Sequence, residues 1–451
     1  ATGRIRMLRA AALFRRLFRL PVPDAPGLTF FGAEADPASL GPHNAGLPVG
    51  GFAGSGLNPR RAFESCVGEG VEYLSQFAQP DDPLQSGAFE AHADALDPGT
   101  HRFVAAVLAA CGVAVDQAID WTPVRRLADG TPSWFPADLC VRRAAPNFIP
   151  PMKLSTGCAA GVTRDAATLR GMLELIERDA VALWWRGGRR PRSIAVDSET
   201  ATLLERVRAG QGGRQTTLLD ITTDLGVPVV AAFSTRPDGY GFALGMAART
   251  DFADAARSAI FEMCQSELSL RVIAAKQRES GQAALNESDL QQQTRASSLN
   301  PNTCVLLQPN DAVPPPPLSG NTVEAITQRL AERGIVAWSL DLTRAAFEVP
   351  VVRVIAPGLQ SEPSEITSDR LARAIAETGG GAQYSGGVVL LKNARYAAAA
   401  PKNRALANAE RASGSTPSNI AGASASACAP ASVTPLWHVA ANAPGNRSDC
   451  S

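Results

Sequence analysis

"GVTRDAATLRGMLELIERDAVALWW", residues 161–185, reads as a helix with a strongly apolar face, yet it carries Glu174 and Glu177 among Met172, Leu173, Leu175 and Ile176. Acids three apart project from one side of a helix. On a single helix such a pair is ordinarily a solvated stripe. The reading changes because the same frame occurs twice more in the chain.

"GLNPRRAFESCVGEGVE" (56–72), "GVTRDAATLRGMLELIE" (161–177) and "RTDFADAARSAIFEMCQ" (249–265) align without gaps. Each places an alanine six residues in (Ala62, Ala167, Ala255) and an acid seven further on (Glu69, Glu174, Glu262). A second oxygen-bearing side chain comes three later, at Glu72, Glu177 and Gln265. Each segment also opens with helix-start chemistry: Asn58-Pro59, Thr163 with Asp165, and Thr250-Asp251. The frame therefore predicts three capped helices with the two oxygens about three and four turns along one face.

Five carboxylates in one site repel one another and require cations. A set of oxygens without histidine or thiolate suits Mg2+, which ordinarily sits between carboxylates and substrate phosphates. The expectation is a nucleoside triphosphate held through metal ions. It is not a P-loop, since GxxxxGK[ST] does not occur, nor a di-iron bundle, since no repeat contains ExxH. Two glycine-rich stretches, "GFAGSG" (51–56) and "STGCAAG" (155–161), precede the first two helices and suit close approach of backbone N–H groups to phosphate.

Composition narrows the class further. At 451 residues, with 43 basic and 43 acidic side chains, the chain has room for a large core and no net field to attract nucleic acid. Eight cysteines form no CxxC, and a chain of this size does not need disulfides, so they are expected to be reduced and the protein cytoplasmic. Four scattered histidines argue against a zinc or non-haem iron centre. No stretch approaches an integral membrane span. The start of the chain, "RIRMLRAAALFRRLFRL" (4–20), carries six arginines before the first acid at Asp24 and is expected to form a basic surface helix.

Apolar runs such as "GVPVVAAF" (226–233) and "VPVVRVIAPG" (349–358) alternate with helical patterns, giving an α+β class with mixed β-sheets covered by helices. Two polar stretches, 286–303 and the proline-rich 310–321, interrupt the pattern, the second expected as an extended loop. The Ala/Ser/Pro-rich residues 396–451 hold little that can be buried and are expected to be mostly disordered.

The hallmark "STGCAAGVTRDAATLRGMLELIERDA" (155–180) resembles the YcaO family, as does "GSGLNPRRAFESCVGEGVEYLS" before it. "DITTDLGVPVVAAF" (220–233), "AIFEMCQSEL" (259–268) and "DLTRAAFEVPVVRVIAPGLQ" (341–360) follow in the family's order. The resemblance divides the chain into a basic segment 1–45, a YcaO domain 46–395 and the tail. It implies a YcaO-like fold in which three helices carry an ExxE/ExxQ repeat around a nucleotide site. It also implies ATP and Mg2+ as cofactors, with Ser65, Glu69, Glu72, Glu174, Glu177, Arg178, Glu262 and Gln265 at the family's binding positions. The six acidic or amide residues of that set are the expected metal ligands. Arg353, in an apolar strand where a buried guanidinium needs a partner, joins the nucleotide-binding set.

Family members phosphorylate a backbone amide oxygen of a peptide. The expected activity is thus an ATP-dependent cyclodehydratase forming thiazoline or oxazoline rings in a ribosomal precursor peptide. A thioamide synthetase working with a TfuA-like partner, or a non-catalytic precursor-binding scaffold, are the alternatives. The chain ends in "GNRSDCS" where many azoline-forming members have a PxPxP tail, so no acid/base residue is assigned. The residues before 46 are expected to be too few for a fused leader-binding module, which calls for a separate leader-binding partner protein; a homodimer is left open. Cys158, in a glycine-rich turn without a nearby histidine, is expected to be a small core residue. Trp184 and Trp185 are expected to pack in the core.

Overall fold

The structure, a computed structural model, describes residues 2–380 except 94, 362, 363 and 365; the expected tail from 396 lies outside them. After helix α1 (Thr2–Ala11), strands β1 (Phe14–Leu20), β2 (Thr29–Ala35) and β3 (Gly50–Gly56) form a first sheet, which runs into α2 (Pro59–Ser75). Next come β4 (Gln85–Gly87), α3 (Glu90–Ala93), α4 (Pro98–Ala110), β5 (Ile119–Arg126), β6 (Pro132–Pro136), β7 (Cys158–Ala160) and α5 (Arg164–Trp185). A further sheet holds β8 (Arg192–Ser193), β9 (Gln215–Asp220), β10 (Val229–Thr235) and β11 (Ala243–Ala248), with α6 (Ser198–Arg208) inserted. Helices α7 (Phe252–Ser280), α8 (Glu287–Ser298) and α9 (Val323–Glu332) lead to β12 (Trp338–Asp341), β13 (Val351–Ile355) and α10 (Asp369–Thr378). Strands β12 and β13 return to the middle sheet, whose order is β4-β5-β12-β13-β7 with β6 on β5. The class is α+β as expected, and the strand pairings within all three sheets are antiparallel.

The three aligned segments are three strand–turn–helix units, one from each sheet: β3 into α2, β7 into α5, β11 into α7. Their caps are equivalent. Asn58, Thr163 and Asp251, each eleven residues before the first glutamate, accept backbone N–H bonds from Arg61, Ala166 and Asp254. The recurring alanine is explained by packing. Ala62, Ala167 and Ala255 are fully buried, and in the first two units the backbone N–H of the alanine lies under a glycine. A Cβ on Gly56 would come within 2.8 Å of the Ala62 nitrogen, and one on Gly161 within 2.4 Å of the Ala167 nitrogen. The helix can lie this close to its own strand only because both contact positions are minimal.

Helix α5 is the central element. Met172, Ile176, Ala180 and Trp184 share one core with Val352 and Val354 of the middle sheet and with Leu219, Val229, Ala231, Met246 and Ala248 of the third. Trp184 and Trp185 are buried as expected, the Trp184 indole N–H donating to the Leu306 carbonyl at 2.7 Å.

Two local expectations are corrected. The arginine-rich start is a helix only to Ala11; Phe14–Leu20 is a strand paired with β2, so residues before 46 supply two strands of the first sheet. Phe14 packs edge-on against Phe52, while Phe18 and Leu20 meet Ala53, and these contacts together with the pairing to β2 hold the segment as a strand. The polar stretch from 286 forms α8, nucleated by a capping box between Asn286 and Asp289. Its polar side is engaged rather than solvated: Lys276 of α7 reaches Asp289 at 2.8 Å, and Ser269 donates to Gln292 at 2.6 Å. The proline-rich segment 310–321 is free of helix and strand, as expected.

Candidate functional site

The repeated acids are not simply near one another; the first two units each grip the next. Glu72 Oε1 on α2 accepts the Ala160 N–H of β7 at 2.7 Å, and Glu177 Oε2 on α5 accepts the Ala248 N–H of β11 at 3.1 Å. Ala160 and Ala248 stand at one repeat position, each fourteen residues before the first glutamate of its own unit. The first glutamate turns back to its own unit: Glu174 accepts the Gly157 N–H and Glu262 the Met246 N–H, both at 3.1 Å. Carrying the fourteen-residue rule round from Gln265 leads to Ser55 of β3, and α7 does pack against β3. Three units from three sheets thus follow one another around a common centre.

Gly157 has a strict steric reason. Its φ is +81°, and a Cβ there would stand 2.4 Å from the Val354 carbonyl oxygen. Val354 N–H also donates to the Gly157 carbonyl at 2.7 Å, so this turn is fixed from both sides while its own N–H faces Glu174.

Burial and neighbouring carboxylates raise the pKa of four of the ring glutamates. Glu69 is pushed up to about 7 by crowding in protein and by Glu174, although its side chain reaches solvent. Burial, then Glu69 and Glu174, raise Glu72; burial and Glu177 raise Glu174. Glu262 is pushed up to about 8 by burial and by Glu177. Arg178 opposes these shifts in Glu69, Glu174 and Glu262 and so stands among units one, two and three. Yet its Nη2 is 3.6 Å from Glu174 Oε1 and 3.7 Å from Glu177 Oε1, beyond a good hydrogen bond, and its buried Nε–H has no partner.

Structural acids in this protein look different. Glu267 on α7 is clamped by Arg208 at 2.7 and 2.8 Å, with Arg214 at 3.1 Å. Asp179 is clamped by Arg370 at 2.9 Å, which also reaches Asp224 at 2.7 Å. The ring carboxylates lack such clamps and carry repulsion instead.

This donor set fits metal-bound phosphate. Among the described residues no three His, Cys, Asp or Glu side chains make a metal cage on their own. Mg2+ ordinarily keeps several waters and takes one or two carboxylates plus phosphate oxygens, so a spread ring with gaps is suitable. The unbonded Arg178 Nε–H and the unbonded Nε–H and Nη1 of Arg353 supply anion donors.

Of the other expected residues, Ser65 lies exposed on α2 one turn before Glu69, and Gln265 is half-buried one turn after Glu262. Arg353 is 5% exposed on β13, opposite Cys158 in register. Cys158 is buried with its thiol held neutral by burial, as expected of a core residue. The backbone donors of Gly157, Ala160, Met246 and Ala248 had no individual signature in the sequence. Nor did Arg170, whose charge acts on Glu72, or Arg249, whose charge acts on Glu262. The fourteen-residue offset could have located Ala160 and Ala248.

A family model for YcaO cyclodehydratases, described as ATP- and Mg2+-binding, matches residues 53–360. An "Uncharacterized protein" of Methanothermobacter thermautotrophicus is 26% identical over 347 residues, 72% of this chain and 85% of that one. Among solved structures, a heterocyclase in complex with substrate and cofactor superposes with a TM-score of 0.66 at 22% identity over 84% of this chain. The match spans 55% of the heterocyclase's own length. The YcaO protein of Methanopyrus kandleri, bound with AMPPCP and Mg2+, gives 0.57 at 20% identity, covering 79% of this chain and 89% of that one. At these identities the structural matches speak for the fold.

Proposed function

The chain belongs to the YcaO family, with ATP and Mg2+ as its cofactors, and from that premise we propose that it is a cyclodehydratase acting on a ribosomally made precursor peptide. The observation that carries this reading is the ring of five glutamates around Arg178, mutually repelling and free of arginine clamps. Such a ring serves a cation-borne anion; a peptide-binding scaffold has no use for it.

In this reading Glu69, Glu72, Glu174, Glu177, Glu262 and Gln265 hold Mg2+, while Ser65, Arg178 and Arg353 face phosphate. When bound, ATP with Mg2+ supplies a phosphoryl group that makes the amide oxygen of the peptide a good leaving group. The chain's own contribution is placement. Backbone N–H groups of Gly157, Ala160, Met246 and Ala248 fix one oxygen of each of four glutamates and leave the other to a cation. Arg178, between Glu174 and Glu177 with an unbonded Nε–H, holds negative charge that develops on phosphate. The peptide nucleophile is a neighbouring Cys, Ser or Thr side chain, and a separate leader-binding protein delivers the substrate.

The test is precursor-dependent ADP and phosphate release, with mass spectrometry of the peptide. Loss of one water per ring, coupled to ATP use, supports cyclodehydration. Exchange of oxygen for sulfur, with a TfuA-like partner and a sulfide source, assigns a thioamide synthetase instead. Glu174→Gln is expected to lower turnover roughly 10²-fold while precursor binding persists. Failure of the wild-type chain to bind ATP would leave the scaffold and overturn the proposal.

A further inference from the structure

The repeat extends past its two oxygens. Five residues after the first glutamate of the second unit stands Asp179, and five after that of the third stands Glu267. Each follows the second oxygen-bearing residue, Glu177 or Gln265, by two positions, about 200° round the helix, and so leaves it on the face opposite the ring. Asp179 is 0% and Glu267 1% exposed, and each is held by an arginine from outside the repeat. In the first unit the same position is Leu74, a core residue.

The two clamps are built alike. Arg370 of α10 donates to Asp179 Oδ2 from Nη2 at 2.9 Å and from Nε at 3.1 Å, while the Gln360 N–H, on the segment after β13, reaches Oδ1 at 2.9 Å. Arg208 of α6 takes both oxygens of Glu267 at 2.7 and 2.8 Å, and the Ser234 hydroxyl of β10 donates to Oε1. Each acid thus ties the back of its helix to two other elements. Against well-packed apolar side chains of similar volume a buried ion pair is often neutral or worse for stability. Its recurrence at one repeat position is therefore accounted for by what it fixes in place, since a carboxylate held by a guanidinium fork has a set direction.

The ring needs such direction. Arg178 Nη2 is 3.6 and 3.7 Å from Glu174 and Glu177 and its Nε–H has no partner, so its own contacts hold it loosely. Side-chain tips lie about 5–6 Å from a helix axis, so turning the helix by about 10° carries them about 1 Å. A misplacement of that size can cost about 10²-fold at a site. We propose that Asp179 and Glu267 are positioning residues: locked by Arg370 and Arg208 behind α5 and α7, they set the rotation of both helices and so aim Glu174, Glu177, Arg178, Glu262 and Gln265 at one centre. That this centre takes Mg2+ with ATP rests on the functional reading above; the anchoring itself does not.

The experiment titrates Mg2+ with ATP calorimetrically into the full chain, at a temperature where thermal unfolding shows each protein folded. Arg370→Lys and Arg208→Lys keep a charge beside the acid and lose the planar fork, and each is expected to weaken binding about tenfold or more. Arg143→Lys is the control. Arg143 holds the buried Asp138 at 3.3 Å between β6 and β7, away from the ring helices, so its replacement is expected to lower the melting temperature and leave nucleotide binding unchanged. Combining Arg370→Lys with Arg178→Met gives a readout that a merely structural role would not move: if the clamp aims Arg178, the double variant loses less than the product of the two single losses. A full product, unchanged binding in the lysine variants, or an equal loss in Arg143→Lys overturns the anchors. The clamps lie on different helices, so if one variant does not fold the other decides. Arg178→Met alone separates this from the functional reading. Binding untouched by it removes the site together with anything to aim, whereas a loss there beside intact binding in the lysine variants leaves the site standing and refutes the anchors alone.

Discussion

Replacing Glu262 by glutamine tests the ring at one of its strained members. The amide oxygen can still accept the Met246 N–H that Glu262 now accepts at 3.1 Å, so the shape of the site is preserved and only the charge is lost. Glu262 is half-buried and is raised from 4.5 to about 8, first by burial and then by Glu177. Ionising it in the fold rather than in the unfolded chain thus costs roughly 3–5 kcal/mol once the pH exceeds the folded value. The folded state holds more protons than the unfolded one between 4.5 and about 8. Stability of the metal-free wild type therefore falls as pH rises through that window. The glutamine variant lacks this penalty. In urea unfolding without metal or nucleotide the two proteins should match near pH 4, and the variant should be more stable by a few kcal/mol at pH 8.5. With Mg2+ and ATP the order should reverse, because the wild-type carboxylate now has a cation. A variant that is less stable than wild type at pH 8.5 without ligand, or one that gains as much from Mg2+ and ATP, would refute the argument that repulsion is stored at this position.

Glu69 and Glu262, at about 7 and about 8, hold protons near neutral pH that a cation must displace. Binding of Mg2+ with ATP should accordingly release protons and weaken as pH falls from 8 to 6; equal binding enthalpies in two buffers of different ionisation heat would count against this. Gly157→Ala forces a side chain into a turn with φ +81° and 2.4 Å from the Val354 carbonyl, so a loss of about 2 kcal/mol or more and weaker nucleotide binding are expected from unfolding and titration. Arg370→Ala leaves Asp179 buried without its clamp and should cost about 3–5 kcal/mol in denaturant unfolding. A loss under about 1 kcal/mol would show that Asp179 takes up a proton or finds water instead.

The site was legible where its determinants are local. Caps, alanines and paired acids fall at fixed offsets along each helix, and those offsets survive without any knowledge of the fold. The partners of the acids were not legible, because an N–H donor such as Ala160 or Ala248 is shared by every residue type and acquires meaning only through tertiary placement. Arg353 announced itself as a charge within an apolar strand, but Arg142, whose charge acts on it, comes from a loop that shows no periodicity. The two errors in the fold have the same origin. Residues 14–20 become a strand through Phe52 and Ala53, and α8 is helical through its cap and its bonds to α7, neither of which hydrophobic spacing records.

Because the second acids of the first two units are each anchored on the unit that follows, the order of synthesis constrains when the pocket can exist. Glu72 has no amide to hold until Ala160 has left the ribosome, and Glu177 none until Ala248 has. A nascent chain that stops short of β11 carries acids from two units with one seam unmade, and α7, which brings Glu262, is still to come. Nucleotide capture is thereby a report that synthesis has passed residue 265, and ribosome-bound chains ending near 240 should not retain ATP on a filter, whereas released full-length chains should.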